Sequence, residues 1–258
     1  MNFSFKKTWT VASKDYKGYF ASPIAYIVIA IFLIIMGWMF YFNLLMYFRQ
    51  GMQFKQFGQG KLPSISEGII RPLYGNLNVI FLFLIPAITM RLFSEEKKMQ
   101  TIQLLMTSPI RLSEMIIGKF LSALGLMLTM LAITLMYPLI LFLVGNPEFG
   151  PIFSSYLGTI MLASCYISMG VLFSAMTENQ IVAFFLTFGA GLFLWLINWA
   201  AQSAGPVLGD FLDYLSLIQH YSNFSSGIID STDVIFYGSF VGLGLFLTHR
   251  VLDSYRWR

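Results

Sequence analysis

Apolar and polar positions fall along this chain in long blocks rather than short periods. Uncharged runs cover Ile24–Phe48, Pro72–Met90, Phe120–Pro147, Phe149–Thr177, Asn179–Gly209 and Val234–His249. A helix needs about 20 residues to cross roughly 30 Å of hydrocarbon. The runs therefore predict six spans, at 24–48, 72–92, 116–145, 155–177, 180–202 and 231–249. The last run is the shortest and needs Ser231 and Thr232 to extend it, or a thinner bilayer. Gly145–Pro151 and Thr177–Asn179 read as tight turns between spans, and Pro86 and Pro138 each remove a backbone donor inside one. With no internal repeat and no low-complexity linker, the chain reads as one all-α membrane domain over 1–258, with an external loop or helices at 203–230.

Two polar blocks break this pattern. In residues 1–22, Phe5, Trp9, Ala12, Tyr16 and Phe20 fall near one helical face, with Lys6, Lys7, Lys14 and Lys17 beside or opposite it. This predicts an elbow helix lying in the headgroup region, aromatics inserted and lysines toward phosphates, ended by Ser22-Pro23. The second block, between spans 2 and 3, predicts one amphipathic helix over 94–107. Ser94 is its expected N-cap, Glu95 and Glu96 meet the positive end of its dipole, and Pro109 stops it. Met99, Ile102, Leu105 and Met106 form its apolar face.

Composition changes the picture by excluding a soluble globule. Hydrophobic residues make up 57% of the chain and charged ones 11%, against about 25% charged in soluble domains. The net charge of +4 is explained by topology rather than by nucleic acid. With the N-terminus inside, cytoplasmic segments hold Lys6, Lys7, Lys14, Lys17, Arg91, Lys97, Lys98, Arg111, Lys119, Arg250, Arg256 and Arg258. Only Arg49, Lys55, Lys61 and Arg71 remain outside, and the segment Ala200–Asp233 carries four Asp and no Lys or Arg. The positive-inside rule then places both termini in the cytoplasm. The first apolar run is too long for a signal-peptide core and lacks a cleavage site, so it is expected to stay as span 1.

Candidate chemistry within the chain is sparse. A phosphate-binding loop needs Gly-x-x-x-x-Gly-Lys-Ser/Thr; both Gly60-Lys61 and Gly118-Lys119 fail at the first Gly and at the residue after Lys. Cys165 stands alone, and with His220 and His249 it makes no metal-ligand spacing. Asp210 and Asp213 read as a solvated loop face, and His220 as a helix-end residue. No uncharged run holds Asp, Glu, Lys or Arg, which argues against a membrane enzyme or an ion-coupled carrier. Gly238–Gly242 matches the small-xxx-small contact motif and is expected to pack within the subunit. Asn43 and Asn198, near the outer ends of spans 1 and 5, either line a substrate path or meet interfacial water.

Three stretches resemble the permease subunits of ABC-2 type transporters, closest to the gliding-motility-associated branch. They are Lys14-Asp15-Tyr16-Lys17-Gly18-Tyr19-Phe20-Ala21-Ser22-Pro23-Ile24-Ala25-Tyr26, the block Ile85–Pro109 with its Arg91-Leu92-Phe93-Ser94-Glu95-Glu96-Lys97-Lys98 core, and Leu215–Asp230 before the last span. The chain departs from the family pattern at Gln100 and Gln103, where Gly and Glu flank the Thr of the coupling helix. The resemblance implies a dimer of permease subunits, homo- or heterodimeric, in the cell inner membrane. Each would dock a cytosolic ABC ATPase subunit that binds ATP and Mg, this chain holding no cofactor of its own and contacting lipid but no nucleic acid. It also implies that spans 1, 2 and 5 shift to open a path at the dimer interface. The contact with the ATPase is expected at Arg91, Glu95, Glu96, Lys97, Lys98, Met99, Thr101, Ile102, Leu105 and Met106. The alternative is a non-transporting membrane anchor or assembly subunit of a motility or secretion complex.

Overall fold

Six helices are long and apolar enough to cross a membrane: Ala25–Gln53, Ser66–Lys98, Leu112–Val144, Phe149–Met176, Gln180–Ser203 and Ser231–Tyr255. The computed structural model describes residues 4–57, 64–107, 109–203 and 205–255, and every regular element among them is helical. The topology-setting residues Lys61, Arg256 and Arg258, and Ser108 of the family-like block, lie outside the described residues.

The chain begins with α1 (Phe5–Ala21) and α2 (Pro23–Phe57). Span 2 is composite: a π-helical turn (Ser66–Ile70), α3 (Arg71–Gly75) and α4 (Leu77–Thr89), followed by α5 (Ser94–Lys98) and α6 (Ile102–Thr107). Span 3 is α7 (Leu112–Thr134) and α8 (Met136–Val144). Pro138 can donate nothing to the carbonyl of Thr134 one turn back, and the helix is interrupted at Leu135. Pro86, by contrast, stays inside an unbroken α4. The remaining elements are α9 (Phe149–Met176), α10 (Gln180–Ser203), α11 (Pro206–Leu215), α12 (Leu217–Ser225) and α13 (Ser231–Tyr255). The last span reaches full length by starting at Ser231, where the Thr232 N–H donates to Asp230 Oδ1 (3.0 Å), and by running on to Tyr255.

α9 is the central post, packed by α4, α7, α10, α12 and α13. Small residues allow this. A Cβ on Gly158 would stand 2.5 Å from Phe224, and one on Gly170 2.0 Å from Thr89 Oγ1. From α13, Gly244 meets Ser168. The motif at Gly238–Gly242 does not serve this contact, contrary to expectation: a Cβ at either glycine meets nothing within 4 Å. Gly244, Tyr237 and Thr248 set the buried stripe of α13, and helical rotation turns Gly238 and Gly242 away from it. α2 is held more lightly, by the stripe Phe32, Met36 and Phe40, with Phe40 stacked on Tyr137 at 4.9 Å.

α1 presents a divided aromatic face. It lies against α7, burying Thr8 and Ala12, with Val11 packed against Gly118 and the Tyr16 hydroxyl bonded to Thr129 Oγ1 at 2.8 Å. Phe5 and Trp9 stay exposed while Tyr16 and Phe20 pack on the core, so the expected face is split. Glu114 fastens the two helix starts together, accepting the N–H of Ser4 (2.7 Å) and of Arg111 (3.0 Å).

The α4–α9 contact yields a direct test. Thr89 Oγ1 is committed to the Ile85 carbonyl at 2.8 Å and has little room to give. Gly170→Ala is expected to lower stability by about 1–3 kcal/mol through overpacking. Gly189→Ala, at an open position of α10, is expected to leave stability unchanged or to raise it slightly. Thermal unfolding of the detergent-purified variants measures both.

Candidate functional site

The polar block between spans 2 and 3 forms a hairpin of two short helices rather than one continuous helix. Helical bonding runs from the end of α4 into α5, with Leu92 N–H donating to the Thr89 carbonyl (3.1 Å) and Lys97 N–H to the Phe93 carbonyl (2.9 Å). Ser94 therefore does not start a fresh helix. Its hydroxyl turns back to the Met90 carbonyl, and the residue flanking α5 is Phe93. Ser174 of α9 does the capping: its Oγ accepts the N–H groups of Phe93 (2.9 Å) and Ser94 (3.2 Å) and donates to the Met90 carbonyl (3.1 Å).

The break between α5 and α6 has a backbone cause. Gln100 has φ +57°, a left-handed conformation that costs a residue with a Cβ about 1–2 kcal/mol. Glycine takes that conformation freely. The hairpin tip stands in solvent, with Met99 68% and Leu104 72% exposed, and Lys98, Gln100, Thr101 and Gln103 also exposed. Ile102 folds under the tip and is buried. The side chains of Leu105 and Met106 lie outside the described residues.

Behind the tip, consecutive residues of α5 are tied in different directions. Lys97 is only 4% exposed; its Nζ bonds the Ala175 carbonyl in the last turn of α9 and lies 3.5 Å from the centroid of the Tyr255 ring of α13. A cation there meets the negative end of the α9 dipole and its unpaired carbonyls. Glu96 points the other way, and its Oε1 accepts from Lys119 Nζ of α7 at 2.7 Å. Lys119, 3% exposed, also donates to Asp15 Oδ2 of α1 at 3.1 Å. Three elements thus converge on one buried cation.

Around this triad opens a cleft of about 800 Å³, walled by α1, the start of α2, the end of α4, the hairpin and α7. The expected contact residues Arg91, Glu95, Glu96, Met99 and Thr101 line it, whereas Lys97, Lys98 and Ile102 do not. Tyr19 lines it too and donates to the Ile88 carbonyl at 3.3 Å. Burial, then the nearby Asp15 charge, push its hydroxyl pKa above the ordinary tyrosine value. Asn43 lies apart, in an apolar groove between α2 and α4, and Asn198 lines neither space.

Sequence reasoning used Lys119 only as a topology marker and gave Asp15 no partner. Lys119 nonetheless sits one turn from Met115, Ile116 and Ala123, all buried; a lysine in phase with such a face demands a carboxylate. At the opposite end, His220 is buried. Its Nδ1 lies 2.6 Å from Asp233 Oδ1 and its Nε2 3.0 Å from the Tyr214 carbonyl, and Asn223 donates to Asp233 Oδ2 at 2.9 Å. This fixes α12 onto the start of α13. Among the described residues no cluster of His, Cys, Asp and Glu has metal-ligand geometry.

A family model, that of the ABC-2 family transporter proteins, matches residues 9–247. That range runs from α1 to the second half of α13 and includes the hairpin, the triad and the cleft. No curated protein matches the chain.

Substitutions at two places test this geometry. Gln100→Gly is expected to stabilise the chain by about 1 kcal/mol by relieving the left-handed strain, read as a rise in the unfolding midpoint. Lys119→Met strands two carboxylates and is expected to cost about 3 kcal/mol. Adding Asp15→Asn and Glu96→Gln is expected to restore most of that loss.

Proposed function

The chain belongs to the ABC-2 transporter family, and from that premise we propose that this permease subunit receives force from a separate ATP-hydrolysing subunit through the α5–α6 hairpin. The observation that carries the reading is the division of labour within nine residues. Lys98–Leu104 offers an exposed tip with Met99 and Leu104 unburied, while Glu96 and Lys97 immediately behind it are tied to α1, α7, α9 and α13. A partner gripping the tip pulls on those helices, because each tie is a charge that is costly to strand.

In this reading Met99 and Leu104 fill an apolar pocket on the ATPase, and the exposed Glu95 and Lys98 tune partner choice. Glu96 and Lys97 transmit rather than contact. ATP and Mg are held by the partner. The Lys and Arg distribution supports a cytoplasmic side for α1, the hairpin and the C-terminal end of α13, in a chain that stands in the cell inner membrane. The subunit pairs with a second permease, and its relatives in function are the gliding-motility-associated exporters.

Met99→Asp combined with Leu104→Asp is expected to abolish co-purification of an ABC ATPase subunit with the permease from its native membranes while membrane insertion is retained. Undiminished recovery of the ATPase with the double variant overturns the assignment of the tip. Failure of the intact chain to recover any ATPase favours the anchor reading instead.

A further inference from the structure

We propose that the cleft beneath the hairpin, together with the groove between α2 and α4, is a binding site for phosphatidylethanolamine drawn from the leaflet on the α1 side. The two spaces adjoin: Val28 and Ala87 line both the cleft and the groove of about 810 Å³ beside it. The cleft is charged and the groove is almost wholly apolar, lined by residues such as Ile31, Ile35, Trp38 and Phe83. A charged chamber beside an apolar channel fits one kind of molecule, an amphiphile with a headgroup in the first and an acyl chain in the second.

The charges in the cleft choose the headgroup. Lys14, Arg91 and Lys119 stand against Asp15, Glu95 and Glu96, so the formal charges cancel and a net-anionic ligand gains nothing overall. Two atoms within this balance are unsatisfied. Arg91 Nε and Glu96 Oε2 are buried and have no hydrogen-bond partner, although Glu96 Oε1 is paired with Lys119. A buried polar atom left unpaired is disfavoured, more so on a charged group. One is a donor on a cation and the other an acceptor on an anion, and both residues line the same cleft.

A phosphoethanolamine headgroup carries the complement of each atom. Its phosphate oxygen accepts from Arg91, and its primary ammonium donates to Glu96 Oε2. Phosphatidylcholine carries the same charges, but its trimethylammonium has no N–H to donate. Phosphatidylglycerol has hydroxyl donors, but it adds a net negative charge to a chamber already balanced. The α2 side of the groove is the loosely packed one, which leaves a lateral entrance from the bilayer. The site stands whether or not the hairpin docks an ATPase.

Native mass spectrometry of the full chain in mild detergent, titrated with equal amounts of phosphatidylethanolamine, phosphatidylcholine and phosphatidylglycerol of the same acyl composition, tests the proposal. The wild type is expected to retain phosphatidylethanolamine about ten-fold better than either competitor, the value of one charged hydrogen bond. Arg91→Gln is expected to lower that retention by a similar factor. Glu96→Gln is expected to erase the preference over phosphatidylcholine. Ala87→Trp, which plugs the junction and leaves every charge in place, is expected to abolish retention. Equal retention of the three lipids by the wild type, or retention unaffected by Ala87→Trp, overturns the site. A change in oligomeric state with Ala87→Trp while lipid retention is unchanged assigns the groove to a second copy of the chain and likewise overturns it.

Discussion

The buried ammonium of Lys119 is the constraint on which this end of the molecule depends. A lysine held out of water is tolerated only when opposite charge surrounds it, and here the two carboxylates come from two other elements. Asp15 belongs to α1 and Glu96 to α5. Neither helix leaves α7 without stranding a charge, so the N-terminal helix and the hairpin are bound to span 3 as one unit. Lys97, next along the chain, extends the unit to α9 and α13. Consecutive positions of a helix point about 100° apart, which is why residues 96 and 97 reach opposite neighbours from so short an element.

A second constraint is close approach along α9. Gly158 and Gly170 admit Phe224 and Thr89 almost to the backbone, and Ser174 then hydrogen-bonds the joint between α4 and α5. In hydrocarbon there is no water to satisfy a broken helix end. The interruption after Thr89 is sustainable because a serine from the neighbouring helix supplies donor and acceptor together. Small residues on α9 therefore do two things, letting helices come near and repairing the backbone where span 2 ends.

Much of the fold was legible because length and charge are one-dimensional signals. Six apolar runs gave six spans, and the polar block between the second and third was found where the structure has its hairpin. What escaped was whatever depends on which face meets which neighbour. Lys119 and Asp15 are 104 residues apart, and nothing local announces their pairing. Gly238 and Gly242 have the spacing of a contact motif, yet the neighbours of α13 select the stripe through Gly244 instead. The hairpin was read as one helix because Ile102, Leu105 and Met106 continue the period of Met99. Gln100 gives no sign in its own chemistry that its backbone is left-handed. Only the glycine that the resembling family carries at that position marks the break.

These features bear on how force would pass through the subunit if the hairpin is where a partner pulls. The ties described for α5 reach α1, α7, α9 and α13, and Ser174 adds the end of α4. None of those side-chain ties goes to α2, which is held by the stripe of Phe32, Met36 and Phe40, by Tyr47 against Gly68 and by the Tyr137 hydroxyl on the Leu33 carbonyl. In the proposed reading a pull on the hairpin is borne by the pinned helices together, and α2 is not among them. Between α2 and α4 lies the apolar groove, with the unpaired amide of Asn43 along its wall.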